Sequence, residues 1–216
     1  MDGYADRAHA GRVLATHLAD VGIDGNEAAD LVVLGLPRGG VVVAAEVAAR
    51  LGVRADAFVV RKLGVPGHEE LAMGAIATGG VRVLNEDVVT DLRIPAEIVD
   101  AVTEREEAEL ARRERSYRGG REPPKLTGRT VVLVDDGLAT GATMRAAVEA
   151  VRAQSPARLV VAVPVAPPDT VARFSAEGVE VLCPLTPRLF GGVGQFYGDF
   201  SQTTDDEVRA ILSTAD

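Results

Sequence analysis

No tryptophan occurs in this chain of 216 residues, and with three tyrosines and five phenylalanines its core has to be assembled from valine, leucine and alanine. A single cysteine, Cys183, excludes an internal disulfide and fits a reducing compartment. Within the strand-like run 179–183 it reads as part of the core. His9 and His17 stand in a helical segment with no metal-ligand cluster near them, and both read as structural. No stretch approaches the roughly 18 uninterrupted apolar residues that a membrane helix requires. The first residues carry charges where a secretory signal needs an apolar segment. A cytoplasmic location without a membrane partner is therefore expected. Basic residues are outnumbered, 23 against 32, for a net charge of −9. That balance argues against nucleic acid as the main partner, because duplex binding relies on clustered Lys and Arg to displace counterions.

The residues that are abundant describe a packed α/β chain. Apolar types make up 47% of it, and the length suits one well-filled domain with embellishments. Helical spacing of Ala8, Val13, Leu14 and Leu18 predicts an amphipathic helix over 4–20. Short apolar runs predict strands at 31–36, 55–60, 131–134, 159–163 and 179–183. Helices are expected between them at 41–51, 144–153 and 169–176. Residues 61–70 read as a polar loop, 75–84 as a hairpin split by Gly79-Gly80, and 95–117 as a long charged helix. Residues 119–124 read as a junction. Thr203 and Thr204, followed by three acids, start a last helix over 208–212. Strands alternating with helices imply a parallel sheet covered on both faces.

One stretch carries most of the functional information. Residues 131–143 read Val-Val-Leu-Val-Asp-Asp-Gly-Leu-Ala-Thr-Gly-Ala-Thr. A buried strand ends in two carboxylates, and a Gly- and Thr-containing loop then runs into an Ala-rich helix. Gly137 and Gly141 let the backbone turn tightly and approach a ligand. The N–H groups opening the next helix converge on an anion, aided by the helix dipole. Thr140 and Thr143 add hydroxyl donors. Asp135 and Asp136 at the rim would repel a bare phosphate and need hydroxyls or a metal instead. A sugar carrying both a phosphate and a vicinal diol meets both demands. The loop has no Lys before its last Thr, so the Walker A pattern of nucleotide-triphosphate motors is absent.

This stretch resembles the 13-residue fingerprint of type I phosphoribosyltransferases, in which the acidic pair and a loop ending Thr-Gly-x-Thr hold phosphoribosyl pyrophosphate (PRPP). The resemblance implies a doubly wound, mainly parallel α/β sheet with a helical insertion and a small hood from both chain ends. It implies one domain over 1–216, with a core at about 28–183 and a hood at about 1–20 and 184–212. Asp135 and Asp136 are then expected on the ribose hydroxyls, reaching Mg²⁺ only indirectly, through the PRPP that carries it. Gly137, Leu138, Ala139, Thr140, Gly141, Ala142 and Thr143 form the loop, with 139–143 on the 5′-phosphate.

A second loop, Leu36-Pro37-Arg38-Gly39-Gly40, leaves the end of another predicted strand. In sheets of this type, ligands lie beyond the carboxyl ends of strands, so the two loops should be neighbours. Arg38, Gly39 and Gly40 look like the family's pyrophosphate loop, where a cis peptide is common. Arg61 and Lys62, at a third strand end, would help neutralise the leaving group beneath a mobile loop hinged at Gly64, Pro66 and Gly67. His68 at its tip reads as exposed. Four of the eight aromatics gather among four glycines in 190–200, where Phe196 and Tyr197 are candidates to stack on a base. The activity implied is transfer of the phosphoribosyl group to a small nucleobase-like nitrogen acceptor with release of pyrophosphate. Asp135, Asp136, Arg38 and Lys62 would be catalytic, and a homodimer is possible by analogy. Ala139 departs from 6-oxopurine enzymes and pyrimidine-operon regulators, which place an Asp there, and so argues against hypoxanthine or guanine. A PRPP-binding sensor without transfer, or a hydrolase using the same cradle, stays open on these residues.

Overall fold

The structure is a computed structural model that describes residues 3–24 and 30–213, without the side chains of Glu69 and Glu70. The expected start of the core, at residue 28, lies outside the described residues. Five parallel strands form the central sheet: β1 (Leu31–Gly35), β2 (Ala55–Ala57), β6 (Thr130–Val134), β7 (Arg158–Ala162) and β8 (Glu180–Leu182). Their spatial order is β2-β1-β6-β7-β8, so the winding reverses between β1 and β6, which pair from Leu31–Thr130 to Gly35–Val134.

The near-continuous apolar character of these strands follows from burial on both faces, since successive side chains alternate sides. Val33, Val132, Val134, Val160 and Ala162 face helices α1 (Arg7–Asp20) and α2 (Gly39–Leu51). Leu34, Val131, Leu133 and Val161 face the opposite layer, helices α5 (Ala142–Arg152) and α6 (Pro168–Ala176). The α/β class, the parallel sheet and its double cover thus match the expectation.

Three departures bear on the site. First, the expected polar loop 61–70 is a second, antiparallel sheet built from β3 (Val60–Val65), β4 (His68–Ala77) and β5 (Val81–Leu84). Leu63, Val65, Met73 and Ile76 turn one face of it onto helices α4 (Ala96–Arg118) and α7 (Asp205–Ser213). In β3 the polar pair Arg61-Lys62, with one residue on each face, conceals that period. Pro66 and Gly67 form the hairpin turn, and His68 is exposed beside it. Second, α1 begins only at Arg7, with Asp6 accepting from the His9 N–H at 2.7 Å. Leu14, Ala15 and Leu18 pack it along α2, while Arg7 in its first turn stands at the end of the sheet beside Asp136. The N-terminal end of α1 meets the 190–200 segment: Tyr4 bridges Tyr197, Ala5 accepts from the Asp199 N–H, and Arg7 lies over the Phe200 ring. Third, helix α3 (Glu86–Asp91) adds an element that apolar periodicity does not predict, although Asn85 at its cap, accepting from the Val88 N–H, is a readable start signal. Cys183 falls just past β8, half-buried instead of wholly so; burial lifts its thiol to about 11.

A buried guanidinium ties the two sheets together. Arg118, 4% exposed, donates from Nε to Asp56 at 2.9 Å, from Nη1 to Glu114 at 2.9 Å and from Nη2 to the Ala57 carbonyl at 2.5 Å. Helix α7 is held by reciprocal bonds: Glu207 accepts from the Thr204 N–H at 2.6 Å, and Thr204 accepts from the Glu207 N–H at 3.2 Å. The expected cap thus lies at Thr204, and the helix starts three residues earlier than the apolar run suggests.

Candidate active site

Adjacent parallel strands bring the two predicted loops together. The chain leaves β1 through a cis peptide at Pro37–Arg38 and enters α2 at Gly39. It leaves β6 through Asp135 and Asp136. The loops touch along their backbones: a Cβ on Gly40 would sit 2.8 Å from the Asp135 Cα and from the Val134 carbonyl oxygen, and one on Gly39 would collide with Oδ2 of Asp136. Glycine is required at both positions by this closeness. Arg38, half-buried, occupies the cap position of α2 without a side-chain capping bond, as suits a helix start that leaves its first N–H groups to a ligand.

Asp135 Oδ1 accepts from the Asp136 N–H at 2.9 Å. Burial, reinforced by the neighbouring Asp136 charge, holds the Asp135 carboxyl well above the usual carboxylate range. Asp136 is raised as well by burial, while a hydrogen bond from Arg7 opposes the rise. Arg7 Nε donates to Asp136 Oδ2 at 2.7 Å. The acidic pair is therefore assembled in a desolvated corner with one cation against it. Nothing in the sequence singles out Arg7, because 129 residues separate it from Asp136 and no motif contains it.

The raised Asp135 carboxyl has a consequence for stability. A carboxyl whose pKa is raised on folding stabilises fully only below its unfolded value of about 3.9, and that contribution is lost as pH rises through the folded value. Near neutral pH the ligand-free protein therefore carries a penalty that Asn does not. Asp135→Asn should melt above the unaltered protein at pH 7–8, and the gap should narrow as pH falls toward 4. Thermal melts across that range decide it; a variant no more stable at neutral pH would refute the desolvation account.

The loop after the acidic pair is clamped from outside. Leu138 donates its N–H to the Val165 carbonyl at 2.9 Å and buries its side chain at 2% exposure, so this member of the predicted phosphate loop has nothing left for a ligand. Gly137 is packed against Val193 and Val165. Thr170 Oγ1 donates to the Ala139 carbonyl at 2.8 Å. Gly141, at φ +75°, turns the chain into α5 against the ring of Phe174, with no side-chain cap. Ala139, Thr140, Ala142 and Thr143 are exposed, and the N–H groups opening α5 have no side-chain partner. The ring of residues able to meet a phosphate thus contracts to 139–143.

A cavity of about 920 Å³ opens beside this cradle, between α5 and the antiparallel sheet. Thr140, Thr143, Arg145 and Arg173 line one wall and Lys62 the other. Arg61 does not join them. Strand alternation sends Val60 and Lys62 toward the cavity and Arg61 to the opposite face, where its Nε and Nη2 bond Glu106 of α4 at 2.8 and 2.5 Å. This corrects the expected ligand role of Arg61. Arg61→Gln is expected to lower the melting temperature by a few degrees and leave PRPP affinity within about twofold. Lys62→Gln is expected to do the reverse, with about tenfold weaker binding; calorimetry on both variants checks the pair.

The two aromatic candidates are placed differently from each other. Tyr197, 8% exposed, donates its hydroxyl to the Asp136 carbonyl at 2.6 Å, and burial pushes that hydroxyl's pKa far up. It is a strut under the acidic pair, with no free ring face for stacking. Phe196 stays half-buried, stacked on Phe190 at 5.5 Å between centroids. Among the described residues, no group of three or more His, Cys, Asp or Glu is placed to hold a metal, and no helix is long and apolar enough to cross a membrane.

Comparison with known proteins agrees with this geometry. A family model described as a phosphoribosyl transferase domain matches residues 7–197. A Mycobacterium tuberculosis protein, Rv0571c, provisionally named a phosphoribosyl transferase, is 51% identical over 212 residues, which cover 98% of this chain and 47% of that protein. The chain thus spans about half the length of the curated relatives it matches. The crystal structure of TT1426 from Thermus thermophilus superposes with a TM-score of 0.86 at 45% identity, covering 99% of both chains. A shared sheet, a matched family model and close relatives along nearly the whole chain lead to one conclusion: the chain belongs to the phosphoribosyl transferase domain family.

Proposed function

We propose that this protein transfers the 5-phosphoribosyl group of PRPP to a small nitrogen acceptor with release of pyrophosphate. The observation that carries the reading is the contact between the two loops, Gly39 and Gly40 lying directly against Asp135 and Asp136. This juxtaposition puts an open helix start with Arg38, a pair of carboxylates and a phosphate-sized loop within one ligand's length. The 5′-phosphate is assigned to the N–H groups and hydroxyls of 139–143. Asp135 and Asp136 take the ribose hydroxyls, and Arg38 with the amides of Gly39 and Gly40 takes the pyrophosphate.

Displacement at the sugar's anomeric carbon needs charge neutralisation and alignment more than covalent participation by the protein. Mg²⁺ would arrive carried on PRPP, and Asp135 and Asp136 would meet it only indirectly, through the bound ligand. Bound in that way, the ion would neutralise charge on the departing pyrophosphate. Lys62, across the cavity from Thr140 and Thr143, adds positive charge on the phosphate side. Phe196 is the aromatic offered to a planar acceptor, since Tyr197 is committed to Asp136. Ala139 leaves no carboxylate at the loop tip, which disfavours 6-oxopurines as acceptors.

A pyrophosphate-release screen across nucleobases and small amines, with PRPP and Mg²⁺, tests the reading. Release that depends on an acceptor supports it. Release without an acceptor indicates a hydrolase, and PRPP binding without release under any condition indicates a sensor. Arg38→Ala is expected to weaken PRPP at least tenfold while changing ribose 5-phosphate less than twofold; equal losses in titration calorimetry would remove the leaving-group role.

A further inference from the structure

Arg7 belongs to none of the motifs above, yet four segments distant in sequence converge on its contact with Asp136. Its Nε donates to Oδ2 of Asp136 at 2.7 Å, its Nη1 donates to the Ser201 carbonyl at 2.7 Å, and its guanidinium lies 3.9 Å from the centroid of the Phe200 ring. The two side chains are only 11% and 17% exposed. On the far side, the main chain of Gly39 closes on the same oxygen, and a Cβ there would also come within 2.7 Å of Arg7 Nε. Tyr197 meanwhile anchors the Asp136 backbone through its carbonyl.

Oδ2 of Asp136 is thus enclosed by Arg7 and the Gly39 backbone, and the carboxylate has lost its freedom to rotate. A solvated Asp samples a broad, two-fold torsion at its end. Fixing it before the ligand arrives removes an ordering cost from binding, and a charge-assisted bond is strong enough to do the fixing. Arg7 is itself held by the Phe200 ring and the Ser201 carbonyl, so the N-terminal helix and the C-terminal segment deliver this cation together.

We propose that Arg7 is a positioning residue of the ribose site: by pinning Oδ2 of Asp136 it presents Oδ1 to a sugar hydroxyl, and so confers a preference for ribose phosphates over deoxyribose phosphates. The proposal rests on the assignment of Asp136 to the ribose and adds a determinant of sugar specificity to it. Asp135 Oδ1 accepts from the Asp136 N–H, so the second carboxylate is tied to the backbone of the one Arg7 holds.

Calorimetric titration with ribose 5-phosphate and 2-deoxyribose 5-phosphate tests it. The unaltered protein is expected to favour ribose 5-phosphate about tenfold. Arg7→Met is expected to lose most of that preference by weakening the ribose compound alone. Arg7→Lys, which keeps one charged donor, is expected to restore part of it. Phe200→Leu, remote from the carboxylate, is expected to give a smaller loss of the same selective kind, and it serves as the readout should Arg7→Met fold poorly. Equal weakening of both sugars in these variants would reduce Arg7 to a fold-supporting role and overturn the proposal, as would an unchanged preference. Failure of the unaltered protein to bind either compound would instead overturn the functional reading, and this proposal with it.

Discussion

With Asp135 and Asp136 both replaced by Asn, PRPP with Mg²⁺ is expected to leave the melting temperature unchanged, where it raises that of the unaltered protein by roughly 5–10 °C. The size follows from mass action, since a ligand at a hundred times its dissociation constant stabilises by about 2.7 kcal/mol. For a chain of this size each kcal/mol moves the midpoint by about 2–4 °C. Removing both carboxylates takes away the acceptors for the ribose hydroxyls and a negative site toward Mg²⁺. The comparison is made between melts with and without ligand for each protein, because relief of the buried charge shifts the ligand-free midpoint on its own. A full ligand shift in the double variant would end the ribose assignment.

Arg118→Met is expected to be the most damaging single change to stability, at about 3–5 kcal/mol, because it leaves Asp56 buried without its cation. That corresponds to a fall of about 6–20 °C in the midpoint. Arg118 joins α4 to the end of β2 and, through the Ala57 carbonyl, to the point where the chain turns from one sheet to the other. Lys62 rides on the second sheet, so the cavity wall depends on this anchor. Replacing both partners, Arg118→Met with Asp56→Leu, should recover part of the loss, since an apolar pair of similar volume avoids the unpaired charge. A loss below about 1 kcal/mol in urea unfolding would show that the buried ion pair does not hold the sheets together.

How much of the site can be read from the sequence depends on how local its chemistry is. Asp135, Asp136, Thr140 and Thr143 share one continuous strand, loop and helix start, and they announce themselves. Arg38-Gly39-Gly40 can be joined to them because neighbouring parallel strands end on the same edge. Arg61 and Lys62 look alike as adjacent cations, and a pleated strand separates them onto opposite faces. Tyr197 resembles a stacking residue by composition, yet its hydroxyl is taken by a carbonyl 61 residues away.

The order of strands and helices, the acidic strand end and the phosphate-sized loop follow from short-range patterning, where spacing alone selects period, turn and helix start. Two things depended on the assembled molecule: the antiparallel sheet that turns Lys62 toward the cradle, and the enclosure of Asp136 by Arg7, Gly39 and Tyr197. Their physical reason is common to both. Each is a contact between segments far apart in the chain, formed because desolvated charges and apolar faces must find partners, and no local pattern encodes which partner they find.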